Sequence, residues 1–497
     1  MYINIFMIKL NCFIIFIERN VTMKKILKKY KPYKNIIYLY FSIPLILNAI
    51  TNYSSNEDIW YMMKYGEYIL KKGFIHTDVL SMHSNFHIVI QQSFTNIIYY
   101  IIYKFLGSYG IFLFLELIII LYLYLLYKLC MKMCNNKLIS VILSIITVVF
   151  LQSNFITPRS QIFTYLFVII LLYIMESFYK NNNTKLIYFL PLLSLLQINL
   201  HGALWYILFI LMIPYVFQLI IDKNKKVFNM IIIMIIMFII GFINPYTYEN
   251  VFFPFTCYST HINKFINELK PINLIDSNIN IVRVSYFFYI TLGSIILLYI
   301  YYKKGKLEIR HLLLLIGTAF MSLINIRSMP FFLLATIPML SNYLKNIKID
   351  LIDNNIKTQK TWSILIIIIL VLSILNKNRL ISRVDKGANY LKNNYSTNII
   401  LYNTFDYGPY LEYLDFHPYI DTRAEAFLKK TNKNEDIFNE MLNVEIGNIN
   451  YENFIKKYKF THFIIYNKEK FYFYLKNNPN YKEIFKENKY SIFEKVN

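Results

Sequence analysis

Runs of apolar residues without a charge recur along the chain at 36–51, 110–130, 138–152, 161–178, 186–200, 203–221, 227–243, 285–302, 311–326, 329–344 and 361–375. Each comes near the ~20 residues that a helix needs to cross a hydrocarbon layer, so the pattern predicts about eleven membrane-spanning helices. One further stretch, SFTNIIYYIIYKFL at 93–106, is short, rich in Tyr and interrupted by Lys104. It reads as an amphipathic helix lying in the membrane interface. Beyond residue 376 the long runs stop. The segments VDKGANYLKNN, TNIILYNTFDYGPYLEYL, HPYIDTRAEAF and THFIIY then alternate between helical and strand-like patterns, which predicts a small α/β domain.

The lysines decide how the helices are threaded. With 93–106 in the interface, the basic clusters fall on one side: Lys24 to Lys34, Lys128 to Lys137, Lys180 with Lys185, Lys223 to Lys226, Lys303 to Arg310, and Lys345 to Lys360. That side is the cytoplasm by the positive-inside rule. Among these clusters the pair Lys71 and Lys72 is the exception left outside. The expectation is a multi-pass protein of the cytoplasmic membrane in three parts. Residues 1–35 form a basic cytoplasmic N-terminus, in which Met23 reads like a natural start; 36–376 form the transmembrane domain; and 377–497 form an extracytoplasmic α/β domain.

Composition fits this division. Of 497 residues, 56% are hydrophobic and 16% charged, which excludes an ordinary soluble globule. The net charge of +23 does not point to nucleic acid, because residues 377–497 hold 19 Lys and Arg against 15 Asp and Glu. The surplus lies in short loops between the apolar runs, where membrane topology calls for it. The cysteines Cys12, Cys130, Cys134 and Cys257 have neither metal-ligand spacing nor a paired framework. No cofactor is indicated, and a divalent metal is left open.

The threading gathers the informative polar groups on the outer face. The first outer loop, 52–109, packs Glu57, Asp58, Glu67, Asp78, His76, His83, His87, Gln91 and Gln92 beside the membrane. Opposite stand Arg159, His201, Arg283 and Arg327. A transfer from a lipid phosphate needs a base for the acceptor proton and cations for the departing phosphate. Asp58 is the favoured base and Glu57 a second carboxylate, with Arg159, His201 and Arg327 as phosphate partners. Trp60 and Tyr61 would seat the loop at the interface. A plainer reading stays open, in which Glu57 and Asp58 cap the helix starting near residue 58 and the arginines anchor headgroups. Asp406-Tyr407-Gly408 and Asp421-Thr422-Arg423-Ala424-Glu425 stand at expected strand ends, as ligand sites or as salt bridges. Few charges lie inside the spans, Glu116 and Glu176 among them, which disfavours an ion-coupled permease.

The pattern Asp58-Ile59-Trp60, Gly66-Glu67, Gly73, Thr77-Asp78, Ser81 and Gln91-Gln92 resembles the first outer loop of the GT-C superfamily of integral membrane glycosyltransferases. Pro158-Arg159 with Gln161, Asn199-Leu200-His201-Gly202, Asn244-Pro245-Tyr246, Asn325-Ile326-Arg327, Asp406-Tyr407-Gly408 and Asp421-Thr422-Arg423 extend the likeness over nearly the whole chain from residue 36. It is nearest to a large bacterial group whose motifs do not specify the sugar. The resemblance implies a GT-C-like fold and a polyprenyl-phosphate-linked sugar as donor. It also implies an inverting transfer outside the membrane to an envelope glycan, lipid or protein, with Asp58 in the catalytic loop. Arg159, His201, Arg327, Gln91, Gln92, Asp78, Asp406, Asp421 and Arg423 are then the candidate substrate-binding residues. The chain departs from the group in having Gln91-Gln92-Ser93-Phe94 where a Trp often follows, and it lacks a DxD motif in the first loop. A non-catalytic polyprenyl-lipid transporter or envelope-assembly scaffold would fit the same topology.

Overall fold

In a computed structural model of the chain, the described residues are 43–46, 56–180, 184–257, 260–272, 281–345 and 380–496. The predicted span at 361–375, nearly all of that at 36–51, and the N-terminus with Met23 lie outside them. The remaining predicted spans each fall on helix. These helices are α2 (Ser93–Cys134), α3 (Lys137–Asn154), α4 (Gln161–Lys180), α5 (Leu190–His201), α6 (Ile207–Ile221), α7 (Lys226–Ile240), α9 (Ile281–Lys303), α10 (Ile309–Ile324) and α11 (Met329–Leu344). Before them comes α1 (Asp58–Lys72), and α8 (Tyr248–Thr256) precedes α9. Among the described residues, five helices are long and apolar enough to cross a membrane, and three shorter ones are apolar. The chain is a multi-pass membrane protein.

Helix α4 is the bundle's axis. Its apolar window is 83% buried, whereas that of α9 is 22% buried. A helix apolar on every side belongs inside a bundle, and one that stays uncovered belongs at its lipid-facing rim. Helix α2 is interrupted at Gly107, whose φ of 60° and ψ of −155° break the ladder. A side chain is strained at that φ, so glycine suits the joint. The segment before the break buries Ser93, Thr95, Asn96 and Tyr99 and exposes Phe94, Ile101, Phe105 and Leu106. Its inner face lies on α1 so closely that a Cβ on Gly66 would sit 2.2 Å from the Asn96 carbonyl oxygen.

One loop cation turns out differently. Arg310, grouped by sequence with the solvated lysines 303–306, is fully buried at the start of α10. Its Nε and Nη2 donate to Glu176 of α4 at 3.1 and 3.2 Å, and the guanidinium stacks 3.7 Å over Tyr179. A buried cation must be paired, and Glu176 is its counter-charge. Sequence spacing cannot reveal that partnership, because the two residues stand on helices that meet only in the fold.

The C-terminal domain begins with α12 (Asp385–Asn394), β1 (Leu401–Asn403) and α13 (Gly408–Tyr413). Helices α14 (Ile437–Ile446) and α15 (Tyr451–Tyr458) follow, then β2 (His462–Tyr466), α16 (Lys470–Asn477), β3 (Tyr481–Lys486) and β4 (Tyr490–Lys495). The sheet order is β1-β2-β4-β3. Strands β1 and β2 are parallel in the register Tyr402 with Phe463, and the other pairs are antiparallel. Tyr402, Tyr419, Phe454, Phe460, Phe463 and Phe471 form an aromatic core on one face of this sheet. Phe86 from the first outer loop is buried in the same core.

Candidate functional site

Loop and domain are fastened together. Residues 73–92 double back through the Thr77–His87 bridge, with Asp78 N donating to Phe86 O at 2.7 Å. The turn is then tied to the C-terminal domain by Met82 N to Pro418 O and His87 N to Asn432 O, each at 3.1 Å. The His83 side chain serves this seam, while those of His87 and His76 turn to the segment 246–249. His83 stacks on Phe86 and meets Tyr419 O at 3.0 Å, His87 lies 3.0 Å from Glu249, and His76 packs edge-on to Tyr246. Among the described residues no three His, Cys, Asp or Glu side chains converge to hold a metal ion.

The two motifs of the C-terminal domain meet because Gly408 lacks a side chain. A Cβ there would lie 2.1 Å from Ile420 O and 2.7 Å from Asp421 Cα. Asn403 at the end of β1 donates to Ile420 O at 2.7 Å, which fixes the segment 420–425 at the C-terminal edge of the strand. From there Thr422 reaches the membrane bundle. Its hydroxyl donates to Asp58 Oδ1 at 2.6 Å, while Asp58 Oδ2 pairs with Arg159 Nε at 2.8 Å. Asp58 is therefore not a helix cap: Asn56 Oδ1 accepts from the Asp58 amide at 2.9 Å instead. Arg159 also pairs with Glu268 at 2.9 Å. Burial disfavours its charge, but Asp58 and Glu268 hold its pKa above the ordinary value.

Around Asp58 opens a cleft of about 260 Å³. Asp58, Arg159, Arg327, Glu57, Arg383 and Asp406 are among the residues that line it. Gln161, with its amide oxygen turned to the guanidinium, accepts from Arg327 Nε at 2.8 Å. Arg383 takes the place of a third arginine, a residue to which no motif pointed; it pairs with Asp406 at 2.6 Å. Arg283 lies in the first turn of α9, residues 281–283, whose side chains are outside the described residues. Glu57 lines the cleft with both oxygens occupied, by the Ser382 hydroxyl at 2.8 Å and the Arg383 amide at 3.0 Å. Burial pushes its pKa up, and those two donors pull the other way. Trp60 faces inward, 4.7 Å from the Tyr410 ring and 5.0 Å from that of Tyr413. It anchors α1 to the C-terminal domain instead of seating the loop in the interface.

Arg423, Asp421 and Asp78 make a separate closed cluster behind this wall. The buried guanidinium meets Asp78 at 3.0 Å, Glu412 at 2.8 Å and Asp421 at 2.9 Å, and also the Tyr65 hydroxyl. Three carboxylates around one cation cannot all ionise out of water. Burial and mutual repulsion hold Glu412 and Asp421 well above the usual range, with Glu412 donating to Asp421. Asp78 is raised as well, by burial, against the pull of the Ser81 hydroxyl and two backbone amides. Gln91 donates to Glu425 at 3.4 Å and Gln92 to the Tyr61 hydroxyl at 3.3 Å. His201 is buried in the bundle, bonded at 2.7 Å to Thr164.

No sequence-family model and no curated protein matches the chain. Its architecture is nonetheless a known one, an apolar helical bundle with a C-terminal α/β domain. Among the solved structures that share it are two of the Archaeoglobus fulgidus oligosaccharyltransferase. The form tethered by a disulfide to an acceptor peptide containing the NVT sequon superposes with a TM-score of 0.60 at 10% identity, covering 87% of this chain and 69% of that one. The apo form gives 0.57 at 10% identity, covering 87% and 70%.

Proposed function

We propose that the chain is a GT-C-type membrane glycosyltransferase that moves a sugar from a polyprenyl-phosphate donor to an envelope acceptor on the extracytoplasmic face. The observation that carries this reading is Asp58, held between Thr422 and Arg159 at the wall of a cleft that also presents Arg327 and Arg383. In this reading the donor phosphate lies against the arginines, which stabilise its charge as the glycosidic C–O bond breaks. The acceptor oxygen attacks from the opposite face and loses its proton to Asp58, so the anomeric centre inverts in one displacement. Support also comes from the fold shared with an oligosaccharyltransferase and from the charge-poor bundle. The distribution of lysines supports a cytoplasmic N-terminus and an outer C-terminal domain.

The test is Asp58→Asn in the full chain, reconstituted with polyprenyl-phosphate-linked hexose and cell-envelope extract. Transfer should fall by about 10²–10⁴-fold, the usual worth of a positioned base, with insertion and yield unchanged. Undiminished transfer overturns the assignment. Binding of polyprenyl phosphate by the wild type with no sugar release would favour a carrier or scaffold.

A further inference from the structure

Three arginines line the cleft, and their charges are not equally available. Arg159 is held by two carboxylates, Asp58 at 2.8 Å and Glu268 at 2.9 Å. Arg383 pairs with Asp406 at 2.6 Å and stands 4.0 Å from Glu57. Arg327 alone of the three has no carboxylate within ion-pair distance among the described residues. Its side-chain partner is the amide of Gln161, whose oxygen accepts from Nε at 2.8 Å and from Nη2 as well. We infer that Arg327 is the seat of the donor's phosphate group, and that Gln161 is a positioning residue which aims the guanidinium without neutralising it.

Arg327 is fixed from two sides. Its backbone lies in the short turn Ile326–Ser328 between α10 and α11. There the Asn325 side chain accepts from the Arg327 amide at 2.9 Å, and Lys270 O accepts from the Ile326 amide at 3.2 Å. Its side chain is met by Gln161, buried in the first turn of α4 at the axis of the bundle. A guanidinium only donates, so the amide turns its oxygen towards it. A carboxylate at this position could make the same two contacts, but it would cancel the charge. The neutral amide leaves the positive charge standing at the cleft wall. With two of five N–H groups engaged by Gln161, three remain for a phosphate, which arginine meets in bidentate fashion. The base and the leaving phosphate are then served by different arginines, Arg159 on Asp58 and Arg327 on the donor, as a displacement with opposite entry and departure requires.

This inference rests on the glycosyltransferase reading, and the experiment keeps the two apart. Binding of polyprenyl phosphate to the full chain in nanodiscs is measured together with Tm, and sugar release from polyprenyl-phosphate-linked hexose is followed with cell-envelope extract as acceptor. Gln161→Glu should raise the polyprenyl phosphate Kd by about tenfold or more while Tm stays level or rises, because its contact to Arg327 becomes an ion pair. Gln161→Met, which removes the oxygen at similar bulk and adds no charge, should raise Kd by about threefold. A purely structural acceptor would serve as well charged as neutral, so an unchanged Kd in Gln161→Glu overturns the inference, as does an unchanged Kd in Gln161→Met. Sugar release by the wild type then leaves the transferase reading standing. Inorganic phosphate should not displace the lipid at equal concentration; displacement would put a soluble phosphate in the seat and overturn its assignment to the donor. A wild type that binds polyprenyl phosphate, with the expected loss in both variants, but releases no sugar upholds the seat and overturns the transferase reading. A wild type without affinity for polyprenyl phosphate overturns both.

Discussion

Removing Arg423 while keeping its bulk, as Arg423→Met, tests the electrostatics of the seam between loop and domain. The guanidinium is 6% exposed and touches Asp78, Glu412 and Asp421, which are 2%, 1% and 0% exposed. None of these carboxylates can turn to water when the cation leaves. Removing one partner of a buried ionic cluster costs about 3–5 kcal/mol. For a domain of this size that is a fall in Tm of roughly 10–20 °C. The penalty depends on pH in a definite sense. The three carboxylates are already raised in the wild-type fold, and loss of the guanidinium raises them further, so the folded variant binds more protons than the folded wild type does. Its stability therefore rises as pH falls from 7 towards 5, and the deficit against wild type narrows. Thermal unfolding in detergent, followed by the fluorescence of Trp60 against Tyr410 and Tyr413, reads this directly. An unchanged Tm at pH 7, or a deficit that widens on acidification, refutes the account.

Two further outcomes follow from the geometry. Gly408→Ala places a methyl group 2.1 Å from Ile420 O, so the segment 420–425 must retreat and withdraw Thr422 from Asp58. Overpacking of this kind costs about 1–3 kcal/mol, and sugar transfer in the envelope assay should drop by at least tenfold although residue 408 touches no substrate. Glu469 accepts from Thr404 at 2.6 Å, and burial pushes its pKa from 4.5 up to about 8. The folded domain therefore keeps a proton that the unfolded chain has lost, and stability declines as pH rises from about 4.5 to 8. Glu469→Gln should remove that slope and gain ~1–3 kcal/mol at pH 8, read as a Tm difference between pH 6 and pH 8.

The bundle was legible because apolar length is a strong signal, and the chain from 110 to 344 follows it run by run. Threading put Asp58, Arg159 and Arg327 on one face in the sequence and the resemblance singled out Asp58; in the fold the three line one cleft. What stayed hidden depends on pairs distant in sequence. Thr422 and Glu425 sat inside a recognised cluster, but nothing local says that the segment reaches back to residue 58. Arg383 and Glu268 belong to no motif, and their roles come from where the backbone happens to deliver them. Arg310 was counted only as one of a basic cluster, and its spacing does not show its partner Glu176 on another helix. Trp60 followed the habit of interfacial aromatics and was overridden by Tyr410 and Tyr413.

The strap of residues 73–92, stitched to Pro418 and Asn432 and plugged into the aromatic core through Phe86, bears on how the protein can be rearranged. Cutting the chain near residue 380 looks like a clean division, yet it would part the two halves of one lining. A hybrid that grafts a relative's C-terminal domain onto this bundle would have to import residues 73–92 along with it. Domain boundary and inheritable unit do not coincide here: the smallest portable piece is discontinuous, a hairpin and a distant sheet that can change only as a matched set.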